Sequence, residues 1–190
     1  MKGPPVTAEI VSSADTKMDT AVDFAREELA AIRTGRAHPA MFHKLNAEYY
    51  GTPTPLQQLA SFQVPEARTV LITPYDRSAM AAIERAIRDS DLGVNPSNDG
   101  TTIRVTLPVL TEDRRKEYTK LAKHKAEEGR VAIRNTRRHA NDAIHKLVKD
   151  KEVSEDDAAR AEKQLDTITK KHTDAVDELL RHKEAELLEL

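Results

Sequence analysis

Cysteine and tryptophan are both absent from this chain of 190 residues. Without a thiol there is no disulfide framework, no thiolate nucleophile and no Cys-ligated zinc site, which suits a cytoplasmic protein. Aromatic residues make up 4% of the chain and apolar residues 38%, against 33% charged. That supplies narrow seams between helices rather than one thick sandwich or barrel core. No apolar run approaches the ~20 residues that span a bilayer, and Met1-Lys2-Gly3-Pro4-Pro5 lacks the apolar stretch of a signal peptide. The expectation is a protein neither exported nor embedded in a membrane, with a disordered Met1–Pro5. Glycine is scarce too. Gly3, Gly35, Gly51, Gly93, Gly100 and Gly129 form neither a Walker loop nor a G-x-G-x-x-G turn, so nucleotide binding has no support.

The formal net charge of −2 hides a segregation. Residues 111–150 hold twelve Lys and Arg against seven Asp and Glu, whereas residues 151–190 hold seven against twelve. A basic segment followed by an acidic one fits two helices that attract each other, or a basic surface offered to a polyanion. Proline is segregated as well. Seven of the nine prolines lie between Pro39 and Pro108, and none follows Pro108. Because proline inside a helix costs about 3 kcal/mol, the middle of the chain must have a different architecture from its ends.

At the ends the periodicity is helical. Met18, Val22, Ala25, Leu29 and Ile32 line one face of a helix expected to finish at Gly35. Thr111 is a candidate N-cap, with Glu112 and Asp113 in the first turn, for a second helix running to about Asp150. Its seam reads Tyr118, Ala122, Gly129, Ala132, Thr136, Ala140, Ala143 and Leu147. Ser154 should cap a third helix carrying Ala158, Ala161, Leu165, Ile168, His172, Ala175 and Leu179. In between, Leu45–Tyr50, Leu59–Val64, Thr69–Thr73 and Thr102–Leu107 look like strands, and Ser78–Asp89 like an amphipathic helix. The fold class is therefore α+β: a three-helix bundle formed by residues 1–35 and 110–190, with a small β/α/β domain inserted at residues 36–109.

Little in the sequence points to chemistry. His38, His43, His124, His139, His145, His172 and His182 form no H-E-x-x-H pair and read as surface or seam histidines. Asp156 and Asp157 fall in a first helical turn, where they complement the helix dipole. No catalytic residue, cofactor or metal is expected. An enzyme would need a convergent polar group in the insert, for instance around Tyr49, Tyr50 and Asp76, and no spacing supports one. A structural or chaperone-like protein, holding partner helices in its seams, is the other rival.

One feature stands out. Lys116, Lys120, Lys123, Arg130, Arg134 and Arg137 continue one face of the second helix, interrupted by Glu127, with Arg138 beside it. That face is expected to point away from the Ala132 seam. A basic helical face is usually just solvated or paired at i±4. Here the arginines have few acidic neighbours at that spacing, and their forked donors suit phosphate oxygens. Arg33 and Arg36 add positive charge at the end of the first helix. The ladder fits the backbone of structured RNA, read by shape, since no aromatic base-stacking pattern accompanies it.

Six runs stand out: Ala31-Ile32-Arg33-Thr34-Gly35-Arg36-Ala37, Glu48-Tyr49-Tyr50-Gly51-Thr52-Pro53-Thr54-Pro55-Leu56 and Ser90-Asp91-Leu92-Gly93-Val94-Asn95-Pro96. Further on come Leu110-Thr111-Glu112-Asp113-Arg114-Arg115-Lys116, Val131-Ala132-Ile133-Arg134-Asn135-Thr136-Arg137-Arg138 and His182-Lys183-Glu184-Ala185-Glu186-Leu187. Together they resemble the motifs of the bacterial ribosome recycling factor family, and the resemblance covers residues 14–190. It implies an L-shaped monomer of tRNA-like dimensions that binds the post-termination ribosome at the subunit interface. With elongation factor G and GTP it promotes subunit separation and release of mRNA and tRNA, hydrolysing nothing itself. It implies that Arg134 and Arg137 contact large-subunit ribosomal RNA, with Arg33, Arg36, Lys123, Arg130 and Arg138 completing the candidate set. It also implies that Gly35, Arg36, Ala37 and Pro108, Val109, Leu110 are hinges.

Overall fold

The computed structural model describes residues 6–189, so the expectation for Met1–Pro5 lies outside the described residues. In chain order the elements are α1 (Val6–Ala30), α2 (Ala40–His43), β1 (Asn46–Tyr49), β2 (Thr52–Pro55), α3 (Leu56–Leu59), β3 (Ala60–Glu66) and β4 (Thr69–Pro74). There follow α4 (Met80–Arg88), β5 (Pro96–Asn98), β6 (Ile103–Thr106), α5 (Glu112–Lys149) and α6 (Glu155–Leu188). The contacts divide the chain into two compact units, one of residues 1–29 and 122–182, the other of residues 30–121 and 183–190.

The first unit is helical. Met18, Val22 and Ala25 of α1 pack with Ala126 and Ile133 of α5 and Val176 of α6 in one cluster. Ala14, Ala140, Ile144, Ala158, Ala161 and Leu165 make a second. Small residues at these positions let backbones approach closely: a Cβ on Gly129 would lie 3.1 Å from Ala25 Cβ. Both expected caps are present, with Thr111 Oγ1 accepting from Arg114 N at 3.2 Å and Ser154 Oγ from Asp157 N at 3.1 Å. Between α5 and α6 the chain reverses through a Schellman turn, in which Glu152 N donates to Leu147 O at 2.9 Å and Lys151 takes a φ of 58°. His172 is 2% exposed; its Nδ1 lies 2.6 Å from Ile168 O and its Nε2 2.7 Å from Asp19, with Asp15 at 3.5 Å. A seam histidine thus becomes a polar clasp between α1 and α6.

Two expectations need correcting here. The α5 seam does not run through Ala132 and Ala143, which are exposed, but through Ala122, Ala126, Gly129, Ile133, Ala140 and Ile144. Ala122, Gly129 and Ala140 of the expected seam belong to it, and the bulky Ile133 and Ile144 take the places expected of Ala132 and Ala143. Helix α1 also stops at Ala30 rather than Gly35.

In the second unit β3, β4, β6 and β5 form a sheet in that order, every pairing antiparallel. Strand β6 alternates cleanly, with Ile103 and Val105 buried and Arg104 and Thr106 exposed. Helix α4 buries Ile83 and Ile87, one turn apart, in the same core as Val70, Ile72, Phe42, Leu56 and Leu107. Strands β1 and β2 form a separate hairpin, with Tyr49 opposite Thr52. Its two-residue turn places Tyr50 at φ 49° and Gly51 at φ 76°, the left-handed backbone conformation by which a two-residue turn matches the right-handed twist of its strands. Pro53 and Pro55 fit β2 because a two-stranded ribbon leaves each strand one edge on which no N–H is needed.

Candidate RNA-binding surface

Taking Ile133 as the direction of the seam and about 100° per residue, Arg137 lies roughly 40° from it, Arg130 60°, Lys123 80°, Arg134 100° and Arg138 140°. The cations therefore form a stripe along one flank of α5. They do not project opposite the seam as expected. Arg130 is 21% exposed at its side chain, Arg137 42% and Arg134 52%.

Lying on the flank brings acids within reach. Arg130 donates through Nε to Glu127 Oε2 at 2.9 Å and through Nη1 to Asp177 Oδ1 on α6 at 2.7 Å. Arg134 Nη2 donates to the other Glu127 oxygen at 2.6 Å, and Arg137 Nη2 lies 2.5 Å from Asp166 Oδ1 on α6. The expectation of few acidic partners is corrected accordingly: the i±4 rule sees neither Glu127 from Arg134, seven residues away, nor anything on α6. Arg134, holding one oxygen, and Arg130, holding the other, keep the Glu127 carboxyl below the usual carboxylate range.

Arg134, Arg137, Arg138, Asn141 and Asp142 line an open depression of about 330 Å³. Arg137 Nε and Asn141 Oδ1 are buried beside it, with no hydrogen-bond partner among the described residues. Three guanidinium groups around a shallow concavity suit an anion with several oxygens. Arg138 and Lys123 are exposed on the same stripe.

Arg33 belongs elsewhere. It is 7% exposed, and its Nη1 and Nη2 donate to Leu92 O at 2.7 Å and Pro108 O at 2.6 Å. A fork spent on two backbone carbonyls is a structural clasp, so Arg33 leaves the RNA-facing set. Arg36 is exposed and pairs with Glu189 at 2.9 Å. Of the hinge candidates, Ala37 N donates to Ala67 O at 2.7 Å, Val109 is 64% exposed and Leu110 7%. Gly35 has no positive φ, and what constrains it is space, since a Cβ there would lie 3.3 Å from Glu189 O.

The group considered for an enzyme is also explained by structure. Tyr49 OH donates to Asp76 Oδ2 at 2.8 Å, and Asp76 Oδ1 caps the following turn by accepting from Ser78 N at 2.9 Å. The Asp76 hydrogen bond is the main reason that the Tyr49 pKa is pushed up to about 12. The folded state favours the phenol, so this contribution to stability is present below about pH 10, the unfolded value, and is lost as pH rises through about 12. Ultraviolet titration of the four tyrosines should show one late step, absent from Tyr49→Phe. A single common step near pH 10 in both proteins would show that the Asp76 bond does not form.

Comparison with known proteins matches residues 25–188 to the family model described as ribosome recycling factor. The ribosome-recycling factor of Cutibacterium acnes is 66% identical over 183 residues, covering 96% of this chain and all of that protein. That of Streptomyces coelicolor is 63% identical over 182 residues, covering 96% and 98%. Among solved structures, a solution structure of a ribosome recycling factor superposes with a TM-score of 0.75 at 39% identity, over 97% of this chain and 98% of that one. Another, with a TM-score of 0.69 at 43% identity and coverage of 96% and 99%, belongs to models of the T. thermophilus ribosome recycling factor and E. coli elongation factor G bound to the E. coli post-termination complex.

Proposed function

Because the chain belongs to the ribosome recycling factor family, we propose that the flank of α5 bearing Lys123, Arg130, Arg134, Arg137 and Arg138 is the surface by which it holds large-subunit ribosomal RNA. The family is one of non-catalytic translation factors, and the chain recycles ribosomes after termination. Its partners are the post-termination ribosome and elongation factor G, the assembly in which a relative 43% identical has been placed. That work sets it in the cytoplasm; among the described residues no helix is long and apolar enough to cross a membrane. The observation that carries the RNA reading is the depression lined by Arg134, Arg137 and Arg138, where Arg138 stands exposed.

Two pivots complete the proposal. Residues 35–37 and 108–110 lie in irregular backbone at the expected borders of the insert, residues 36–109, and inside the unit of residues 30–121 and 183–190. The Arg33 clasp on Pro108 O restrains the second pivot, so bending there is concentrated at Val109 and Leu110.

Sedimentation with purified large subunits across a salt series tests the RNA reading. Each phosphate neutralised contributes roughly −0.7 to −0.9 to the slope of log K against log salt. Four contacts would therefore lower affinity by about a hundredfold between 50 and 200 mM salt. Binding independent of salt would overturn the reading.

A further inference from the structure

The cations that suit phosphate are already holding carboxylates, and at half-exposed positions. We propose that Glu127 and Asp166 act as built-in competitors for RNA phosphate on Arg134 and Arg137, limiting affinity so that the factor is released after each round. This rests on the reading of the α5 flank as the RNA-binding surface.

The competition is for the same atoms. A guanidinium offers its fork equally to two carboxylate oxygens or to two phosphate oxygens. On Arg134 Nη2 is taken by Glu127, and on Arg137 Nη2 is taken by Asp166. Glu127 is 49% exposed and Asp166 59%, and ion pairs so open to water are weak enough for a phosphate to displace them.

Displacement does not remove the acids. Glu127 rides on α5 one turn from Arg130, whose Nε holds its second oxygen, and Asp166 is fixed to α6. Each carboxylate therefore remains within the screening length of about 8 Å at physiological salt, repelling the phosphate that has replaced it. The arrangement depends on charge segregation along the chain, since the acidic C-terminal segment forms the helix packed beside the basic one. Asp177 is left out of the proposal because its partner Arg130 is more enclosed than Arg134 or Arg137 and its pairing helps join α5 to α6.

The test is the full-length E127Q/D166N protein, in which the amides keep the size of the side chains but remove both charges and leave each a single acceptor oxygen. Its affinity for large subunits at physiological salt should rise about three- to tenfold, mostly through slower dissociation, as related interface variants differ chiefly in off-rate. In subunit splitting with elongation factor G, the first round should proceed as in the parent protein, and repeated rounds should slow. Unchanged affinity would overturn the proposal, and weaker binding would show that the carboxylates orient the arginines instead. Should the double variant fold poorly, E127Q and D166N singly carry the same comparison. The outcome is separable from that of the RNA reading. If R134A/R137A loses binding while E127Q/D166N gains none, only the competitor proposal fails. If R134A/R137A binds as the parent does, the RNA surface itself has been misplaced.

Discussion

With Arg134 and Arg137 both replaced by alanine, binding to large ribosomal subunits is expected to weaken about 100-fold. A charge-assisted hydrogen bond is worth roughly 1.5–3 kcal/mol, or about tenfold or more per arginine. The lower end applies here because each fork exchanges a carboxylate for the phosphate and gains only the difference. The slope of log affinity against log salt should flatten by about two units, one per lost phosphate contact. Lysine at both positions should recover part of the affinity, since a point charge restores attraction but not the fork. Stability is the control. The lost pairs to Glu127 and Asp166 are half-exposed, and such pairs contribute only about 0.2–1 kcal/mol each, so helix content should be unchanged. An alanine variant that binds like the parent, with the parent's salt slope, would make this flank an ordinary solvated surface.

How much of this was legible in the sequence depended on whether the signal was local. Thr111 and Ser154 announced their helices because an N-cap is a contact within three residues, and both caps form. Ile83 and Ile87 placed α4 for the same reason. Strands β2 and β5 were not foreseen. Both hold prolines that argue against a strand, and only their pairing, β2 in a hairpin and β5 at the sheet edge, makes those prolines harmless. The turn at Lys151 was equally hidden, because a left-handed C-cap is normally announced by glycine and here a lysine adopts it.

The candidate surface was half legible. Residue types and spacing marked the stripe, but its partners lay on another helix, and the phase of the seam decided how buried each arginine became. With Ala132 taken as the seam, Arg130 and Arg137 pointed to solvent; with Ile133 in its place they lie along the α6 border. Arg33 could not be assigned from its neighbours, because the carbonyls it holds come from residues 59 and 75 positions away. A buried clasp and an exposed phosphate ligand use the same side chain, and only burial tells them apart.

The same geometry predicts the position least tolerant of added bulk. Gly129 sits where α5 crosses α1 and α6, with its missing Cβ directed 3.1 Å from Ala25 Cβ and 3.6 Å from a Val176 methyl. Alanine there should be close to neutral. It gains about 1 kcal/mol of helix propensity over glycine, offset by the few tenths of an ångström that Ala25 must yield. Leucine has no such escape, because its further carbons enter space bounded by Ala25 and Val176, both buried. Overpacking of a close-packed seam costs about 3 kcal/mol, the expected loss for Gly129→Leu. Urea denaturation should show a lower midpoint with little change in slope, since the surface exposed on unfolding is nearly the same. Function should fall with it, because residue 130 follows directly and the flank of α5 that carries the arginines shifts with the helix. Gly129→Leu as stable as the parent would mean that the three helices do not approach this closely at residue 129.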